Sequence, residues 1–190
     1  MSLNHPLFPI KMTADWQSPS QFSLDSLLSD WLLNPESLTA RLKSHCESFR
    51  VEVLGQQVET CSAVEANDDI SIGEEVLVRE VVLWCDDTPQ VFARSLLPLR
   101  SLTGEQQALA HLGTQPLGQV IFNQSNMTRK VFQIAKLANT PTLTSLLDSL
   151  SVKPSDEVYA RRSVFVIDDK PFMVAEAFLP NSFAYKSSVV

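Results

Sequence analysis

Two apolar segments joined by a polar turn, EEVLVREVVLWCDDTPQVFARSLLPL over residues 74–99, constrain this chain more than any other stretch. Val, Leu and Phe dominate both halves, which is strand composition. Asp-Asp-Thr-Pro between them is turn chemistry, so the stretch predicts a hairpin. Yet each strand carries an arginine near its middle, Arg79 and Arg94. A guanidinium keeps its charge, and an unpaired buried charge is costly, so each arginine needs an acidic partner or an acidic ligand.

Side chains alternate faces along a strand. Arg79 therefore shares a face with Leu77, Val81, Leu83 and Cys85, and Arg94 with Phe92 and Leu96. A third strand, PFMVAEAFLP, places Glu176 beside Phe172, Val174 and Phe178. Two readings follow. Arg79 or Arg94 forms an internal ion pair with Glu176, or the three charges converge on a closed apolar pocket, the usual form of a small-molecule site. The planar fork of arginine suits a carboxylate in such a pocket. Glu80, Arg161 and Arg162 also lie in strand-like segments and are expected on a wetted face, which antiparallel sheets often have.

Around these strands the pattern is mixed. Leu24, Leu27, Leu28, Trp31 and Leu32 fall at helical spacing after Ser23, and a second short helix through Leu38 and Leu42 is expected, capped by Asn34 with Pro35 first. FRVEVLGQQVE reads as a strand turning near Gly55. SLTGEQQALAHLG reads as a helix with Thr103 and Gln106 as its capping box and Gly113 as its left-handed end. TQPLGQVIF reads as a tight turn into a short apolar segment. TRKVFQIAKL fits strand or helix. NTPTLTSLLDSLSVKPSDE reads as a loop with one helical turn, and VYARRSVFVI with FMVAEAFLP as a second hairpin across DDKP. Hairpins outnumber helical crossovers. The expected fold is α+β, a single antiparallel sheet with helices on one face.

Composition narrows the function. The 190 residues suit one domain, 1–190, with an irregular lead-in over 1–20. A formal net charge of -7 argues against a nucleic-acid or anionic-membrane surface. No apolar run approaches the ~20 residues needed to span a bilayer, and no signal peptide is visible. Cys46, Cys61 and Cys85 are odd in number with no C-x-x-C, which predicts reduced thiols in the cytoplasm. His5, His45 and His111 lack ligand spacing, so no metal is expected. Neither a glycine-rich phosphate loop nor a nucleophile elbow is present, so an enzyme of this sequence is expected to work without a cofactor.

LVREVVLWCDDTPQVFARSLLP, LGTQPLGQVIF and VAEAFLP, in this order after a DWLL helix and with TRKVFQI before the last, resemble the chorismate lyase family. The resemblance covers roughly residues 24–185 and is looser over 50–75 and 138–157. It implies a ligand buried beneath two helical flaps, and elimination of pyruvate from chorismate to give 4-hydroxybenzoate for ubiquinone synthesis. It further implies that Arg79 binds the ring carboxylate and that Glu176 meets the 4-hydroxyl. Leu117 and Leu38 would each offer a backbone N–H, Leu38 standing where the family has Met. Arg94 would take the enolpyruvyl carboxylate. Arg79, Arg94 and Glu176 are thus the expected catalytic residues. A monomer inhibited by its own product is expected. The alternative is a non-catalytic effector-sensing domain of the same fold, as in transcription regulators. Those domains follow a winged helix, for which this acidic chain has no room.

Overall fold

The computed structural model describes residues 4–185. Six strands, β1 (Phe49–Thr60), β2 (Glu75–Cys85), β3 (Thr88–Pro98), β4 (Met127–Lys136), β5 (Tyr159–Ile167) and β6 (Lys170–Phe178), form one sheet. Every pairing is antiparallel and the order is β1-β2-β3-β6-β5-β4, so the expected α+β architecture is observed. The helices are α1 (Ser26–Leu32), α2 (Leu38–Lys43), α3 (Leu117–Phe122) and α4 (Pro141–Ser149), with a 3-10 helix over Gly104–His111.

Register decides which charges share a face. Val81, Ala93, Glu176 and Arg161 form one cross-strand row, and Glu80, Arg94, Ala175 and Arg162 form the next, pointing the other way. The face of Arg79, Glu176 and Arg161 is covered by α1 and α2, with Leu28, Trp31, Leu32 and Leu42 packed against Leu83, Val91 and Phe178. The 3-10 helix and α3 complete that cover through Leu109, Leu117 and Ile121. The reverse face is covered too. Ile10, Met12 and the Leu143, Leu146 and Leu147 stripe of α4 pack on Val82, Phe92 and Ala177. Cys61 and Ile70, from the turns between β1 and β2, pack on Val78, Leu96 and Val164.

With both faces covered, the central strands β2, β3, β5 and β6 leave almost no wetted face for charge, and exposed positions fall mainly on the outer strands β1 and β4. Glu80, Arg161 and Arg162, expected at the surface, are only 0%, 3% and 7% exposed. Glu80 and Arg161 have charged partners, described below, and Arg162 donates from Nε to Gln133 Oε1 at 2.8 Å. The same double cover explains why β2 and β3 read as nearly continuous apolar runs rather than alternating ones.

Local chemistry departs from the sequence reading at several ends. Asp25 caps α1, accepting from Leu28 N at 2.9 Å. Ser37, not Asn34, caps α2, while Asn34 accepts from Glu36 N to shape the preceding turn. β1 does not turn at Gly55 but runs through it with a bulge at Val53/Gly55. The expected α-helix after Thr103 is a 3-10 helix without a side-chain cap, because Gln106 is engaged by Asp168 and Lys170 instead. Gly113 adopts φ 55, the left-handed end that was expected. The stretch read as a loop near residue 145 is the nine-residue α4, capped by Thr140 with Pro141 first.

Candidate functional site

Beneath α2 and α3 lies a small cavity of about 30 Å³, room for little more than one water. Val81, Leu83 and Ala93 form its floor, Thr39 and Leu117 its roof, and Arg79 and Glu176 its polar groups. Arg79 in β2 and Glu176 in β6 sit two strands apart and two residues out of register. From strand geometry their backbones are about 12 Å apart.

Arg79 donates from Nη2 to Gly113 O at 2.8 Å and to Gln115 O at 3.1 Å. No carboxylate partners it among the described residues, and burial lowers its pKa. The carbonyls come from the left-handed end of the 3-10 helix and the turn into α3. Arg79 therefore holds the loop that carries the roof. Glu176 accepts from Arg161 Nε at 2.7 Å. Arg161 in turn donates from Nη1 to Trp31 O, Leu32 O and Asn34 O at 3.0–3.3 Å, the carbonyls that end α1 and begin the turn into α2. Each polar group of the floor is thus wired to the root of one roof helix.

The two roof helices meet directly. Lys43 Nζ donates to Gln119 Oε1 at 2.8 Å across them. At Gly118 an added Cβ would already touch Thr39 Oγ1 at 3.5 Å. Leu38 and Leu117 are the first residues of α2 and α3, so their N–H groups have no acceptor within their own helices. Leu117 lines the cavity, whereas Leu38 buries its side chain among the core residues around Trp31.

Arg94 is not part of this site. Its guanidinium points to the reverse face and binds Glu65 Oε1 at 2.5 Å, Glu80 Oε1 at 2.9 Å and Glu59 Oε2 at 3.0 Å. Glu80 is held further by Ile10 N at 2.7 Å and Lys11 N at 2.8 Å. Burial alone would raise the pKa of Glu65, but the Arg94 hydrogen bond and charge outweigh it, and the net shift is downward. The reason lies in the hairpin. Asp86 turns left-handed (φ 51) in a two-residue turn, and an unbroken ladder from there would set Arg94 opposite Arg79. A register shift between Leu83 and Trp84 instead sets Arg94 opposite Glu80, and one residue of slip exchanges the faces.

Ser95 and Thr39 line the cavity without having been singled out by the sequence, and Arg161, expected on a wetted face, instead holds Glu176. Arg161 was accessible to simple counting: the Asp168–Asp169 turn, both residues left-handed, pairs it directly with Glu176.

A single antiparallel sheet with short paired helices on one face, over a small cavity lined by Arg79 and Glu176, defines an α+β domain. Solved structures of that architecture include PhnF from Mycobacterium smegmatis (TM-score 0.56, 17% identity, 78% of this chain and 66% of that one). Another is the ligand-binding domain of a GntR-family regulator from Bordetella bronchiseptica (TM-score 0.52, 17% identity, 75% and 91%). At that identity they share the fold alone. The sequence itself is more specific. Residues 10–190 match the Chorismate lyase family. A "probable chorismate pyruvate-lyase" of Pseudoalteromonas translucida is 40% identical across 94% of this chain and 98% of its own length. One from Photobacterium profundum is 35% identical across 93% and 92%. This chain belongs to the chorismate lyase family.

Proposed function

We propose that the protein eliminates pyruvate from chorismate to give 4-hydroxybenzoate, the ring precursor of ubiquinone, without metal or cofactor. The observation that carries this is the buried Arg79, free of any carboxylate among the described residues, facing Glu176 across an apolar floor in a chain of this family.

The ring carboxylate binds the Arg79 fork, and the C4 hydroxyl meets Glu176. The N–H groups of Leu117 and Leu38 donate from the two roof helices. The C3–O bond breaks and its electron pair leaves on the pyruvate enolate. The C4 hydrogen departs as a proton, its electron pair closes the aromatic ring, and the enolate takes up a proton. Aromatisation drives the reaction. The protein's task is to orient the ring and exclude water. Arg161 fixes the Glu176 carboxylate by its 2.7 Å bond, so the oxygen presented to the hydroxyl has a defined position. The cavity is smaller than a ring, so α2 and α3 part to admit substrate and to release product. A site that reads a carboxylate and a hydroxyl also retains 4-hydroxybenzoate, hence product inhibition. The enzyme is taken to act as a cytoplasmic monomer.

The test is to incubate the purified chain with chorismate under chelator and to follow 4-hydroxybenzoate and pyruvate. Equimolar formation of both, lost in Arg79→Ala with the fold retained, is the expected result. Saturable binding of 4-hydroxybenzoate without turnover would instead support an effector-sensing domain. Normal turnover by Arg79→Ala would refute the carboxylate clamp.

A further inference from the structure

A dianionic substrate needs a second cation, and Arg94 cannot supply it from the reverse face. On the site face one further arginine lacks a carboxylate partner among the described residues. Arg129, in β4, is half-buried and donates from Nε to Ser163 Oγ at 2.7 Å and from Nη1 to Pro35 O at 3.2 Å. Its Nη2 has no acceptor among the described residues. The guanidinium lies over the rings of Phe132 and Phe165, 4.6 and 5.4 Å from their centroids. No carboxylate comes within ion-pair distance of it among the described residues. It is close enough to Arg161 and Glu176 to feel both charges, and burial, followed by Arg161, pushes its pKa down to about 10. A cation so desolvated, next to another cation, favours an incoming anion.

The position fits the geometry of the substrate. Arg79 and Arg129 lie on opposite sides of Glu176 across the sheet, in β2 and β4. In chorismate the ring carboxylate lies para to the C4 hydroxyl, and the enolpyruvyl ether is on C3, next to it. With the ring carboxylate at Arg79 and the hydroxyl at Glu176, the side chain leaves the ring beyond Glu176. The charges also balance: Arg79, Arg129 and Arg161 against Glu176 leave two positive charges for two carboxylates.

We infer that Arg129 binds the enolpyruvyl carboxylate of the substrate and so makes the site selective for the dicarboxylate over its monocarboxylate product. This rests on the lyase reading above. Its contact with Pro35 O offers a competing, purely structural role, a clip on the turn into α2. The two differ in what they do to the product, which has no second carboxylate.

The experiment measures kcat and KM for chorismate and the Kd for 4-hydroxybenzoate in the wild type, Arg129→Met and Arg129→Gln. The expected result is a KM for chorismate raised ~10- to 100-fold, the range for losing a hydrogen bond to a charged group, with the product Kd within twofold of wild type. Parallel loss of both would assign Arg129 to the clip and overturn the inference, as would an unchanged KM. Should Arg129→Met fail to fold, Arg129→Gln, which keeps a donor for Ser163 or Pro35 but not the charge, decides alone. Absence of turnover by the wild type would sink the lyase reading, and this inference with it, before any variant is measured.

Discussion

Replacing Arg94 by methionine should destabilise the protein by about 3–5 kcal/mol while leaving the chemistry of the folded fraction intact. Arg94 is 1% exposed and its charge is shared by three carboxylates, of which Glu80 is wholly buried. Methionine fills most of the volume but strands those carboxylates, and removing one partner of a buried ionic group commonly costs that much. With a urea m-value of about 2 kcal/mol/M, the midpoint should fall by about 1.5–2.5 M. The loss should also depend on pH. In the wild type the pKa of Glu65 is lowered by Arg94 against the effect of burial. A depressed folded pKa contributes stability that is present above the unfolded value, about 4.3, and lost as pH falls through the folded one. In the variant the Arg94 hydrogen bond and charge are gone, and burial, which acts upward, is opposed by the Ser62 hydrogen bonds alone. The difference between the two proteins is therefore largest near pH 7 and shrinks below about pH 4. Urea titrations at both pH values, with turnover normalised to folded protein, make the test. A midpoint shift below 0.5 M, or one independent of pH, would refute the network argument. A selective collapse of kcat in a stable variant would return Arg94 to the site.

Two other consequences are open to direct measurement. Gly55→Ala should cost about 1–3 kcal/mol, because the new Cβ would lie 2.4 Å from Phe8 Cγ and the ring must move. Thermal melts of Gly55→Ala, Phe8→Leu and the double variant should show the two effects to be less than additive, and strict additivity would remove Phe8 as the cause. Cys61, its thiol buried and pushed up to about 11, first by desolvation and then by Glu65 and Glu74, should resist modification at pH 8 in the native state. Roughly one thiol in a thousand is ionised there. Mass mapping after brief alkylation should find Cys61 intact until the protein is unfolded, and rapid native labelling would contradict its burial.

Much of this architecture was legible because the strands declare themselves. β2, β3, β5 and β6 were read correctly from composition and their Asp-Asp turns, and with them the shared face of Arg79 and Glu176. Arg94 was misplaced for one reason. A bulge inside a strand leaves no mark in composition, yet at Leu83/Trp84 it moves every later side chain of β3 to the other face. Glu80 and Arg162 were misjudged because strand alternation cannot say whether a second layer covers the reverse face, and Arg161 because its register with Glu176 across the Asp168–Asp169 turn was not counted. That layer comes from residues 10–12 and α4, the segments with the weakest local signal. α4 itself hides its stripe of Leu143, Leu146 and Leu147 among threonines and serines, poor helix formers that its packing overrides. Arg129 gave no signal, because its value lies in what it lacks, a carboxylate neighbour.

The carboxylate of Glu80 joins partners far apart along the chain. Ile10 donates to it from 70 residues earlier and Arg94 from 14 residues later, while Glu59 and Glu65 reach Arg94 from before β2. No short fragment assembles this knot, whose members span residues 10 to 94: the β2–β3 hairpin by itself holds one cation and one anion but neither of the outer carboxylates nor the backbone donors. During synthesis the backbone donors of Ile10 and Lys11 must wait until Glu80 has emerged. Contacts of such long range close late and raise the entropic barrier to folding. Once closed, they tie the amino-terminal segment, β1 and the central hairpin into one unit, so that peeling away residue 10 is the first step of dissolving the sheet rather than the fraying of an end.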